Sequence, residues 1–217
     1  MNWRDYVKDG KLILPDGFNE ELDCSDNNLT ELVLPERFNS YLDCSWNNLS
    51  RLVLPEWFNS TLYCSYNNLT ELVLPERFNS YLDCSSNNLT ELVLSERFNK
   101  YLDCSGNKLT KLILPKCFNS VLDCSSNNLT ELVLPKVFNS HLNSYNNNFT
   151  EIVLPKKFTS GFYFDNKDLN KIRDCMHEYN LDYFEAGYKI WQDLDLNKLP
   201  RLMSYIRNKR IESILYD

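Results

Sequence analysis

Six of the eight cysteines in this 217-residue chain recur every 20 residues. They are Cys24, Cys44, Cys64, Cys84, Cys104 and Cys124, with Ser144 in the next place. Thiols can pair, ligate a metal or attack an electrophile, and a straight row suits none of these. On in-register parallel strands, neighbouring Cβ atoms keep the strand spacing of about 4.8 Å, against about 3.8 Å in a disulfide. A row also offers at most two thiols to one ion, where a structural zinc takes four ligands. Free, buried thiols acting as small hydrophobes are therefore expected. There are only two histidines, His141 and His177, and no G-x-S-x-G, H-E-x-x-H or C-x-x-C motif. Cys175, in Arg173-Asp174-Cys175-Met176, is the remaining nucleophile candidate, at a helix position compatible with burial. Cys117 replaces an arginine of its column and reads as an ordinary outward residue. The pattern predicts no catalytic residue, no metal and no cofactor.

Carboxylates and aromatics are placed more informatively. Asp23, Asp43, Asp83, Asp103 and Asp123 form a column, interrupted by Tyr63 and ending at Asn143. Two places earlier lie Glu21, Tyr41, Thr61, Tyr81, Tyr101, Val121 and His141. Trp46 and Tyr66 flank the same surface. Carboxylates about 5 Å apart repel by roughly 1 kcal/mol per neighbour near a surface, so a face kept only for solubility would mix its signs. Aromatics beside aligned acids suit an interface. Tyr41, Asp43, Trp46, Tyr63, Tyr66, Tyr81, Asp83, Tyr101, Asp103 and Asp123 are the candidate binding residues, for a basic protein or peptide. The bland alternative is a solvated polar face.

Bulk composition narrows the partner class. Lys and Arg number 23 against 30 Asp and Glu, a net charge of -7, which argues against nucleic acid. Five glycines leave little material for a phosphate-binding loop. No apolar run approaches the roughly 18 to 20 residues of a membrane-spanning helix. The opening Met-Asn-Trp-Arg-Asp-Tyr-Val-Lys-Asp-Gly has no apolar segment after its charges, so no secretory signal is expected and the cytoplasm is the expected location. N-x-S/T triplets begin at Asn28, Asn48, Asn68, Asn88, Asn128 and Asn148. They fall out of the repeat unit and carry no functional weight without entry to the secretory pathway.

The element that must position these columns is the repeat itself. Residues 81–100 read YLDCSSNNLTELVLSERFNK and residues 121–140 read VLDCSSNNLTELVLPKVFNS. The period runs without insertion from about Lys11 to Gly161, each unit having the form L-x-C-x-x-N-x-L-x-x-L-x-L-P-x-x-F. Alternation in L-x-C puts Leu82 and Cys84 on one strand face and Asp83 on the other. A three-residue strand cannot stand alone, but stacked on its copies it makes a parallel ladder. Asn27, Asn47, Asn67, Asn87, Asn107, Asn127 and Asn147 sit where the chain leaves each strand. A buried amide there can satisfy turn groups that the short strand leaves unpaired. The return path is too short for a full helix, and its prolines favour an extended course. The Leu-Val-Leu step is a candidate second strand.

This unit resembles the leucine-rich repeat, whose core reads L-x-x-L-x-L-x-x-N/C-x-L. The likeness covers about three quarters of the chain. It is similar to the short Leu-Pro repeats of bacterial type III-secreted leucine-rich effectors, and its Asn-rich, cysteine-laddered form to repeat proteins of amoeba-infecting giant viruses. The family's first consensus leucine falls on Asn39, Asn59 and Asn79, with Phe38, Phe58 and Phe78 filling that volume instead. The resemblance implies an α/β repeat fold. The fold expected is a leucine-rich repeat solenoid with its parallel β ladder on the concave face, an extended convex side and eight rungs from Leu22 to Phe162. It also implies a non-catalytic scaffold for protein–protein interaction, with a host protein as partner and the host cytoplasm as its place of action.

The ends complete the division. Residues 1–20 read as an N-terminal cap and half repeat, with Trp3, Tyr6 and Val7 as lid residues; residues 21–164 are the repeats. Over 165–217 the apolar spacing turns helical, from Leu169, Ile172, Met176 and Tyr179 onward. About 50 residues are too few for a catalytic domain and ample for a C-terminal helical cap. In the alternative reading these helices recruit a ubiquitin-ligase or other enzyme complex, and the repeats choose its target.

Overall fold

The structure, a computed structural model, describes residues 2–153, Pro155, and the backbone of the short strands Phe162–Tyr163 and Ile172–Arg173. Eight two-residue strands stack in parallel, one per repeat: Leu22–Asp23, Leu42–Asp43, Leu62–Tyr63, Leu82–Asp83, Leu102–Asp103, Leu122–Asp123, Leu142–Asn143 and Phe162–Tyr163. Register is 20 residues at every step, as in Leu82↔Leu102 and Asp83↔Asp103. Every rung faces the next with the same chemistry, so the leucine and cysteine of each L-x-C close into one continuous core. Leu82, Cys84, Leu89 and Phe98 are fully buried, and so are their counterparts in the neighbouring rungs.

The rungs are held by an inner asparagine ladder. Asn87 Nδ2 donates to Cys84 O and Ser85 O of its own rung, both at 3.1 Å, and to Cys64 O of the rung before at 3.0 Å. Its Oδ1 accepts from Leu69 N at 3.0 Å. Asn47, Asn67, Asn107, Asn127 and Asn147 repeat these bonds on the rung behind them and are buried. The amide therefore staples two rungs as well as closing its own turn. Asn27 differs: it is exposed at the first rung.

A second asparagine ladder runs along the outside. Asn39 N–H donates to Asn19 Oδ1 at 2.7 Å, and the bond recurs through Asn59, Asn79, Asn99, Asn119 and Asn139. The asparagines that displace the family's consensus leucine thus have their own task. Each Pro-x-x-Phe closes a tight turn, Phe38 N–H donating to Pro35 O at 3.0 Å, where the sequence suggested a longer extended course. That turn drives the phenylalanine inward, and the rings stack from Phe18 to Phe138.

The spacing of these rings shows the curvature. Phe38, Phe58, Phe78 and Phe98 repeat at 6.0 Å in near-parallel planes, whereas hydrogen-bonded strands repeat at about 4.8 Å. The phenylalanine side is therefore the outer arc and the L-x-C ladder the inner, concave one. The same mismatch explains the broken second strand set. Lys11–Ile13 pairs with Glu31–Val33, Arg51–Val53 with Glu71–Val73, and Glu131–Val133 with Glu151–Val153, but residues 91–93 and 111–113 join no strand. At the wider outer spacing only local groups of two or three can close hydrogen bonds. Clefts open between the groups, as between Thr30–Leu34 and Ser50–Leu54.

At the start, Trp3–Tyr6 forms a 3-10 turn and Val7–Lys8 pairs antiparallel with Lys11–Ile13. Trp3 is buried, Tyr6 half-buried and Val7 exposed, so the lid rests on Trp3 more than on Val7. Towards the other end, Ile172–Arg173 is a strand paired in register with Ile152–Val153. The apolar spacing there predicted a helical stretch; the 20-residue step from Ile152 to Ile172 continues the strand register instead. The rest of the helical cap expected over 165–217, Cys175 included, lies outside the described residues.

Candidate protein-binding face

The concave ladder places three side-chain columns side by side. The first holds Tyr41, Thr61, Tyr81, Tyr101 and Val121, the second Asp43, Tyr63, Asp83, Asp103 and Asp123, and the third Trp46, Tyr66, Ser86, Gly106 and Ser126. The second column lies in the paired strands, and the first is tied to the rung before it through its carbonyls, Tyr81 O accepting from Leu62 N at 3.0 Å.

The tyrosines form a continuous aromatic row. Tyr41 and Tyr63 have ring centroids 5.8 Å apart, Tyr63 and Tyr81 5.0 Å, and Tyr81 and Tyr101 4.3 Å with planes 3° from parallel. All four are half-buried by their neighbours. Burial pushes the Tyr81 hydroxyl well above the usual phenol range, helped by its hydrogen bond to the hydroxyl of Tyr101. Tyr41 and Tyr101 are raised too, first by burial and then by nearby carboxylates. Tyr41, Tyr81 and Tyr101 are thereby kept protonated and able to donate.

The acid column has a structural role that spacing alone did not disclose. Asp83 Oδ1 accepts from Ser85 N at 3.0 Å and Ser85 Oγ at 2.7 Å. Asp23, Asp103 and Asp123 make the same pair of bonds to the serine two residues on, and Asp43 makes the backbone one. Each D-x-S is an Asx-type turn that ends its strand. Repulsion along the column is thus offset by local hydrogen bonds, and the other carboxylate oxygen takes no part in the turn. The environments differ: Ser25 holds Asp23 below the ordinary carboxylate range, whereas burial raises Asp103 despite its bonds to Ser105. At the far end Asn143 Nδ2 donates to Asp123 Oδ2 at 2.8 Å.

The third column is the least expected. All its residues from Asp26 to Asn146 have φ between +52° and +63°. Asp, Asn, Ser and Gly tolerate this left-handed conformation, but bulky side chains rarely adopt it. Trp46 at +56° and Tyr66 at +52° do, and they are 58% and 48% exposed. Their rings stack at 3.9 Å, 8° from parallel. Concave curvature helps here, since equivalent points converge above the inner ladder. An exposed tryptophan and tyrosine on strained backbone do nothing for the core.

The cysteine column lies behind this face. The six ladder thiols are buried and unpaired; Cys44 and Cys104 donate weakly to the carbonyls of Tyr63 and Asp123, both at 3.5 Å. Burial pushes Cys24 up to about 12 and raises the other five as well, so none is an available thiolate. Cys117 is exposed, its thiol 3.4 Å from Glu96 O. Among the described residues no three His, Cys, Asp or Glu side chains converge on one point. No described helix is long and apolar enough to cross a membrane.

No protein-family model matches the chain, and no curated protein matches it. Among solved structures, YopM from Yersinia enterocolitica WA-314 is similar, with 31% identity and a TM-score of 0.60 over 71% of this chain. The chain spans about a third of that protein, covering 34% of it. YopM is a bacterial leucine-rich repeat protein; with the 20-residue period and the parallel ladder, the likeness supports a leucine-rich repeat solenoid for the described part of this chain.

Proposed function

We propose that the chain is a non-catalytic scaffold that binds a basic protein or peptide on its concave face. A leucine-rich repeat fold of this kind suggests a protein-interaction scaffold. The observation that carries the choice of face is the Trp46–Tyr66 stack, exposed and held on left-handed backbone beside the tyrosine row. Strain of this sort persists where it serves a site, and exposed aromatics ringed by polar groups are the usual anchors of interfaces. The carboxylate oxygens of Asp43, Asp83 and Asp103 that the turns do not use give the face its sign. Because YopM is an effector, a host protein in the host cytoplasm is the partner we infer.

Affinity capture from host-cell extract with the full chain tests this. The double variant Trp46→Ser with Tyr66→Ser is compared with Trp57→Ser, an equally exposed aromatic (54%) outside these columns. Loss of specific partners from the double variant alone is the expected result. Loss from Trp57→Ser alone would place the binding face elsewhere.

A further inference from the structure

The third column is a stack with an unfilled place. Trp46 covers one face of Tyr66, and the next two positions along the column are Ser86 and Gly106, too small to cover the other. Tyr66 N–H donates to Ser85 O at 3.1 Å, so position 86 is the next step on the same ladder. Beside that step, Asp83 commits only Oδ1 to its turn. None of the three columns between Tyr41 and Ser126 holds a Lys or Arg.

Resting on the concave-face reading above, we propose that the place over Ser86 receives the guanidinium of a partner arginine, stacked on Tyr66 with Asp83 as its counter-charge. A guanidinium is planar, weakly hydrated and able to stack while its edge donates to a carboxylate; an ammonium is a compact, strongly hydrated point charge that does the second but not the first. An aromatic guest would fill the slot and leave the acids unanswered. The site therefore selects arginine over lysine, which a merely acidic surface would not.

The test uses the full chain with hexa-arginine and hexalysine peptides, read by calorimetry. The parent is expected to bind hexa-arginine about three- to fivefold more tightly than hexalysine, the size of an exposed cation–π contact. Ser86→Tyr extends the stack into the slot and is expected to abolish that preference, leaving hexalysine affinity nearly unchanged. The column already accepts Trp46 and Tyr66 at this φ, so the fold should tolerate the change, with circular dichroism as the check. Ser86→Gly, which keeps the slot open, should keep the preference. Equal affinity of the parent for the two peptides would overturn the proposal, as would a preference that survives Ser86→Tyr. Either result leaves the concave-face reading standing so long as partner capture still depends on Trp46 and Tyr66.

Discussion

Trp46 and Tyr66, one rung apart, stack at 3.9 Å although each occupies a backbone conformation that costs a bulky side chain about 1 to 2 kcal/mol. The stack returns about 0.5 to 1.5 kcal/mol against a combined cost of about 2 to 4 kcal/mol, so the pair is a net burden on stability. Asn146 shows that the column takes a small polar residue at the same φ. Trp46→Asn with Tyr66→Asn is therefore expected to hold or raise stability in urea titration while removing partner capture. A large loss of stability would mean that the pair serves the fold.

Asn87→Ala is expected to destabilise far more than Asn88→Ala. The first deletes an amide that bonds Cys64 O, Cys84 O, Ser85 O and Leu69 N and strands those buried groups. The cost expected is about 2 to 3 kcal/mol. Asn88 is half-buried, its column takes Lys108 in the next rung, and its backbone bond to Leu69 O survives substitution, so its cost stays within about 0.5 kcal/mol. Urea titration of the two variants compares them directly, and equal midpoints would contradict the stapling role.

The acids can be separated into charge and turn. Asp83→Asn with Asp103→Asn keeps an Oδ1 acceptor for the turn, as Asn143 does for Tyr145 N at 3.3 Å, and removes the charge. This pair is expected to leave the fold intact and to weaken capture of a basic partner, with a shallower salt dependence. Changing the same residues to Ala should cost about 1 kcal/mol each in stability as well. Glu76→Gln with Glu96→Gln, on exposed positions of the outer loops, should change neither property. Loss of capture in the outer pair alone would contradict the account.

Stability should respond to pH in opposite senses at two rungs. Asp103 ionises near 3.8 when unfolded and only at higher pH when folded, because burial opposes its charge. Across that interval the native state holds a proton that the unfolded chain has released, so stability falls as pH rises and remains lower above. Asp23 is held below 3.8 by Ser25, so its contribution is present above 3.8 and is lost as pH falls through the folded value. Urea midpoints between pH 2.5 and 7 should therefore lose their decline above about pH 4 in Asp103→Asn, and part of their acid-side loss in Asp23→Asn. Unchanged profiles would contradict these assignments.

Much of the architecture was legible because one period governs every column. Leu82, Cys84, Asn87, Leu89 and Phe98 could be placed inside from spacing alone, and Tyr81 and Asp83 on the outward strand face. What escaped depends on quantities that a period does not encode. The acids invited an electrostatic reading because repulsion is visible in a sequence; the compensating Asp83–Ser85 turn needed the D-x-S spacing read as backbone chemistry. Asn39, Asn59 and Asn79 looked like departures from a family pattern until their Oδ1 atoms were seen to hold the next rung. The Trp46–Tyr66 stack depends on a positive φ and on curvature, and curvature emerged only from comparing 6.0 Å on the phenylalanine side with strand spacing on the other.

The central claim, that the concave face is the binding face, is tested most directly by hydroxyl-radical footprinting of the full chain with and without a captured partner. Trp46 and Tyr66 are freely exposed on that face, Trp57 and Val93 elsewhere. The expected result is strong protection of Trp46 and Tyr66 on binding, with Trp57 and Val93 oxidised as before. Protection of Trp57 or Val93 with Trp46 and Tyr66 unchanged would contradict the account.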